Sequence, residues 1–136
     1  IDLASGSGLV GIAAMKAGAS QVLAADIDGF AVSAIAINAA LNGVSIDVTA
    51  ADLLDQTPAT DVILVGDLFY EKGVASRCYQ WLLAAHLKGI DVLIGDPGRS
   101  YLPKDKLARM AEYSVPVSRD LEDMDIKKTA LWRLVV

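Results

Sequence analysis

Short β-type runs alternate with helix-type runs along nearly the whole chain, the order expected of a parallel sheet covered on both faces. Strands are expected over residues 1–4, 21–27, 46–51, 61–66 and 91–95. Helices are expected over residues 9–17, closed by Gly18, and 30–41, with Asp28 as cap and Asn42-Gly43 as stop. In the stretch EKGVASRCYQWLLAAHL, Val74, Cys78, Trp81, Leu82 and Ala85 share one helical face, which predicts a third helix packed on the sheet. A shorter fourth helix is expected over residues 104–112. The ending then changes character. YSVPVSRD and TALWRLVV read as strands joined only by the charged LEDMDIKK, which is too short for a crossover, so they should pair antiparallel. The expected fold is α/β: a doubly wound sheet finishing in a hairpin, as one domain over residues 1–136, without repeats or linkers.

Composition narrows the picture. A chain of 136 residues can bury a core without disulfides or metals, and 54% hydrophobic against 21% charged residues argues against disorder. The net charge of −5 arises before residue 100, where 11 acidic side chains face 5 basic ones. No Lys- or Arg-rich face can be assembled for nucleic acid. Cys78 stands alone, which excludes a disulfide framework and a multi-cysteine metal site. Apolar runs stop well short of the ~20 residues that span a bilayer, and no signal peptide is visible, so a cytoplasmic protein without a membrane partner is expected. The first strand is already under way at Ile1, with no initiator methionine. The chain therefore reads as a piece of a longer protein whose N-terminal segment is missing.

Candidate chemistry gathers at the strand ends. Gly6, Gly8 and Gly11 form G-x-G-x-x-G between a strand and a helix, where glycines allow close ligand approach and the helix start offers free N–H groups. The alternative is that these glycines merely permit tight strand-to-helix packing. An aspartate lies at or just beyond the carboxyl end of each expected parallel strand: Asp2, Asp26, Asp52, Asp67 and Asp96. Ligands of open α/β sheets bind along this edge. Asp26 follows Gly6 at the spacing of a ribose-binding acid, and Asp52 is placed to reach an adenine amino group. Gathered carboxylates need a positive offset, and few cations lie near them in sequence. A cationic ligand such as S-adenosylmethionine answers that need better than NAD, whose pyrophosphate suits an acidic edge less well.

DLASGSG resembles the first motif of class I S-adenosylmethionine-dependent methyltransferases. Within that class, ADID, GDLFYE, GDPGR and RDLED with KKTALWRL together resemble the lysine methyltransferases of the electron transfer flavoprotein β-subunit. Bacterial relatives of that group carry labels such as predicted nicotinamide N-methylase or ribosomal protein L11 methyltransferase-like. The resemblance implies a Rossmann-like, seven-stranded, mostly parallel sheet with a C-terminal antiparallel hairpin, and S-adenosylmethionine as cofactor. It implies that Asp2, Ala4, Gly6 and Gly8 line the methionine side of that cofactor. Asp26, with Ile27, would hold the ribose, and Asp52 with Leu53 would border the adenine. Asp67 would reach both the cofactor and, with Tyr70, the methyl acceptor. Ala4 departs from the pattern, since the class often has glycine there.

Methyl transfer is an in-line attack by an acceptor lone pair, so the protein chiefly positions the acceptor and keeps it neutral. Deprotonating a lysine at pH 7 costs about 4.6 kcal/mol from a reference pKa of ~10.4. Burial beside a cationic cofactor lowers that pKa, while Asp67 and the Tyr70 hydroxyl orient the amine. Phe69 either walls the acceptor channel or packs beneath the sheet. Arg99 either binds an acidic substrate group or ties down its own loop. Glu71 is expected in the first turn of the next helix, His86 in a surface or capping role, and Cys78, Trp81 and Trp132 in packing. The reading is a protein-lysine N-methyltransferase acting on a protein such as a flavoprotein subunit. The alternatives are a small-molecule amine methyltransferase, a non-catalytic cofactor-binding fragment and an NAD-dependent oxidoreductase.

Overall fold

In the computed structural model, which describes residues 1–118 and 126–135, all strands join one mixed sheet. The elements run β1 (Asp2–Leu3), α1 (Leu9–Lys16), β2 (Leu23–Ala25), α2 (Gly29–Leu41), β3 (Asp47–Thr49), β4 (Val62–Gly66), α3 (Lys72–His86), β5 (Asp91–Asp96), β6 (Leu107–Pro116) and β7 (Ile126–Leu134). Strand order is β3-β2-β1-β4-β5-β7-β6. β1 to β5 are parallel, and β7 lies antiparallel between β5 and β6. The doubly wound, seven-stranded sheet with its closing hairpin is as expected. Successive strands step outward from β1 to β3, and the chain then returns to place β4 on the other side of β1. That reversal opens a crevice at the carboxyl ends of β1 and β4, where such sheets take their ligands.

The main core lies between α3 and one sheet face. Ile63 and Val65 of β4 and Val92 and Ile94 of β5 point into it at every second position, against Cys78, Leu82 and Ala85 of α3. Burial pushes the Cys78 thiol up to about 12, so this cysteine serves packing rather than nucleophilic chemistry. Trp81 Nε1 donates to the Gln56 carbonyl at 2.7 Å, fastening α3 to the 3₁₀ turn Leu53–Asp55. Ile12, Val22, Ala24, Ile35 and Ala39 are buried under α1 and α2 on the other face. Close packing there fixes two glycines: a Cβ on Gly8 would meet the Ile35 side chain at 3.2 Å, and one on Gly66 the Val10 side chain at 3.3 Å. Asp28 caps α2 by accepting from the Phe30 N–H at 2.9 Å, as expected.

One element differs. Residues 104–112 form a short 3₁₀ turn, Lys104–Lys106, followed by the first half of β6 rather than a fourth helix. Ala, Arg, Met and Glu in this stretch favour a helix locally, but pairing with β7 outweighs propensities of a few tenths of a kcal/mol per residue. A register shift between Arg109 and Ala111 breaks the two-residue alternation by which the strand would have been read. β6 therefore begins six residues before YSVPVSRD, and β7 begins at Ile126, inside the expected connection. Residues 119–120 of YSVPVSRD and 121–125 of that connection lie outside the described residues. No helix among the described residues is long and apolar enough to cross a membrane.

Candidate functional site

The loop after β1 is built on Asp2. This carboxylate is 1% exposed and accepts from Ser5 Oγ at 2.5 Å and from the Gly11 N–H at 2.8 Å. Desolvation raises its pKa, and the Ser5 and Gly11 hydrogen bonds oppose that rise. A Cβ on Gly11 would stand 3.0 Å from Asp2 Oδ2, so glycine is what lets α1 start directly over the carboxylate. The turn itself runs through positive φ at Ala4 (54°), Gly6 (58°) and Gly8 (86°). Nothing lies within 4 Å of where a Gly6 side chain would begin, which leaves backbone open to a ligand.

Three further carboxylates follow along the crevice, each held differently. Asp26 accepts from the Gly6 N–H at 2.9 Å and the Asp28 N–H at 3.0 Å, so it ties the glycine loop to the end of β2. Each oxygen has a second lone-pair direction to offer. Asp52 accepts from the Leu54 N–H at 3.0 Å and from Arg77 at 2.7 Å, and Arg77 also grips Asp55 at 2.5 Å. The hydrogen bond from Arg77, aided by that from Leu54, holds the Asp52 carboxyl below its ordinary value. Asp67, at φ 53°, receives a two-pronged grip from Arg99 at 2.5 and 2.7 Å. Arg99 is in turn placed by Asp96, whose Oδ1 accepts from the Gly98 and Arg99 N–H groups at 2.6 and 2.7 Å.

These groups enclose a cavity of about 610 Å³. Ala4 and Gly6 after β1, Asp26 and Ile27 after β2, Asp52 and Leu53 after β3, and Asp67 and Tyr70 after β4 all line it. Four other expected residues sit elsewhere. Asp2 supports the loop from beneath, Gly8 packs on Ile35, Phe69 is fully buried in the main core, and Arg99 is not among the lining residues but grips Asp67, which is. The electrostatics also differ from the expected shortage of cations. Arg77 and Arg99 each offset a carboxylate directly, having come from 25 and 32 residues away in sequence. Arg77 is a lining residue that the sequence reading passed over; Glu71, read as a first-turn residue, and Val74, read as packing, line the cavity as well. The signal for Arg77 was a cation four residues before Trp81, on the side of α3 that meets the Leu53–Asp55 turn.

A family model described as "Ribosomal protein L11 methyltransferase (PrmA)" matches residues 1–68, half of the chain. The chain belongs to the PrmA methyltransferase family. Residues 1–68 carry the glycine loop, Asp26, Asp52 and Asp67, so the family match covers most of the cavity wall. Two relatives are similar over almost the entire chain. The electron transfer flavoprotein beta subunit lysine methyltransferase of Danio rerio is 36% identical over 140 residues, covering 98% of this chain and 54% of its own length. The Mus musculus protein of the same name is 37% identical over 139 residues, covering 97% and 54%. The chain thus spans about half the length of the curated relatives it matches. Among solved structures, a ribosomal protein L11 methylase from Lactobacillus delbrueckii subsp. bulgaricus is 25% identical with a TM-score of 0.64, covering 98% of this chain and 68% of that one. Family and fold are those of class I S-adenosylmethionine-dependent methyltransferases.

The cavity fits S-adenosylmethionine by its own features. Its 610 Å³ falls within the ~300–1,000 Å³ of small-ligand sites. Bare backbone at Gly6 and acceptor capacity at Asp26 face it.

Proposed function

We propose that this PrmA-family chain carries the cofactor and acceptor sites of a protein-lysine N-methyltransferase whose partner is a flavoprotein subunit. The observation behind this reading is that Asp67 and Tyr70, in the segment following β4, line the same cavity as the glycine loop. The likeness to lysine methyltransferases of the electron transfer flavoprotein β-subunit supports the acceptor class.

S-adenosylmethionine, when bound, supplies a methyl group on a good leaving group. The chain's residues hold the two reactants in line. Ala4, Gly6, Asp26 and Ile27 form the methionine and ribose side, and Asp52 and Leu53 the adenine side. Asp67 is oriented by the Arg99 fork, so that it aligns the amine as a hydrogen-bond acceptor. Tyr70, 60% exposed, lines the same cavity and would offer its hydroxyl to the acceptor. Excluding water from the lysine stem favours the neutral amine that attack requires.

The test is methyl transfer from labelled cofactor to purified electron transfer flavoprotein β-subunit, with the modified residue located by mass spectrometry. Label on a lysine ε-amine is the expected result. Label confined to small amines would replace this reading by the small-molecule alternative.

A further inference from the structure

Asp67 brings a conflict into the proposed chemistry. A carboxylate aligns an amine by accepting its hydrogen bonds, but its charge also favours the ammonium form, which has no lone pair with which to attack a methyl group. Arg99 meets this conflict: its Nε and Nη2 donate to the two Asp67 oxygens at 2.5 and 2.7 Å. The fork is not needed to tie down its own loop. Asp96 Oδ1 accepts from the Gly98 and Arg99 N–H groups, the Tyr101 N–H donates to the Phe69 carbonyl at 3.3 Å, and Leu102 is buried in the main core. Nor does the fork add much stability, since the Arg99 and Asp67 side chains are 40% and 45% exposed and ion pairs so placed contribute little.

The geometry suits another use. A carboxylate has about four lone-pair sites; the fork takes two, so Asp67 keeps acceptor capacity while it lines the main cavity. Guanidinium and carboxylate together carry no net charge. The other titratable groups lining that cavity are Asp26, Asp52, Tyr70, Glu71 and Arg77. Arg77 is engaged by Asp52 and Asp55, so the cation held against Asp67 is Arg99. We infer that Arg99 is a positioning residue that offsets the charge of Asp67, letting this carboxylate align the acceptor amine without holding it as ammonium. The inference rests on the proposed lysine methyl transfer and gives Arg99, which does not line the cavity, a part in it.

Methyl transfer to the electron transfer flavoprotein β-subunit, followed in single turnovers at saturating cofactor and substrate, shows the ionisation of the bound complex as the acid limb of its pH profile. Arg99→Gln removes the offset, so an uncompensated Asp67 stabilises the ammonium and more base is needed to free the amine. The limb should move to higher pH by about one unit, the low end for a neighbouring charge because the pair is half-exposed. Arg99→Lys keeps the charge and should keep the limb in place, even where loss of the fork lowers the plateau. Asp67→Asn in the Arg99→Gln background should bring the limb back, since the two side chains act through one pair. A limb unmoved by Arg99→Gln, moved equally by Arg99→Lys, or not brought back by Asp67→Asn would overturn the inference. Affinity for S-adenosylhomocysteine should stay that of the unsubstituted chain; its loss in Arg99→Gln would make the side chain a structural tie and overturn the inference as well. No label on lysine from the unsubstituted chain would defeat the lysine reading and this inference with it, whereas lysine labelling with an unmoved limb would defeat this inference alone.

Discussion

At the scale of single residues, the cavity depends on groups whose position costs backbone freedom. Asp67 and Ala4 both stand at positive φ without being glycine. For Asp67, the Arg99 fork gives the conformation a use. Replacing it by alanine should lower methyl transfer by about 10²-fold, the scale expected when an acceptor loses its alignment, while affinity for S-adenosylhomocysteine changes far less. Comparing single-turnover rates with calorimetric affinities would check this, and unchanged turnover would remove Asp67 from the site. Ala4 makes no hydrogen bond that compensates for its φ of 54° among those described. Ala4→Gly should therefore raise stability by about 1 kcal/mol, read as a higher urea midpoint at unchanged slope.

At the scale of elements, α1 and the Leu53–Asp55 turn are fastened by carboxylates with opposite responses to acid. Asp52 has a lowered folded pKa, so its contribution is present above the ordinary value of ~3.9 and is lost as pH falls through the lower one. Asp2 has a raised folded pKa, so its contribution is largest below ~3.9 and is lost as pH rises through the raised value. Urea unfolding between about pH 3 and pH 7 should show Arg77→Ala flattening the acid limb and Asp2→Asn flattening the limb above it. Gly11→Ala should destabilise by about 1–3 kcal/mol, since its Cβ meets Asp2 at 3.0 Å and Val22 at 3.1 Å in a packed site.

The elements were legible in the sequence where one physical signal dominated. The glycine loop, the strand-end aspartates and the Asp28 cap are local, and a reader of neighbouring residues finds them. The first part of β6, residues 107–112, was not legible, because helix-favouring residues and a bulge hide a strand that only β7 stabilises. Arg77 and Arg99 were equally hidden as partners: each pairs with a carboxylate that only the folded sheet brings near. Phe69 sits between two cavity residues in sequence yet faces the core, an ambiguity that burial alone resolves.

At the scale of the whole molecule, the reversal between β1 and β4 brings the glycine loop and Asp67 to one cavity. Half-buried Leu64, Leu93 and Leu131 line the sheet face away from α3. Binding only to the folded state at a hundred times Kd should add about 2.7 kcal/mol, visible as a rise in Tm with S-adenosylhomocysteine concentration. The most direct measurement is isothermal titration of the chain with S-adenosylhomocysteine and, separately, with NAD. Saturable one-to-one binding of S-adenosylhomocysteine, weakened by Asp26→Ala, with no heat from NAD, is the predicted result. Saturable NAD binding with none of the methyl-product analogue would contradict the account.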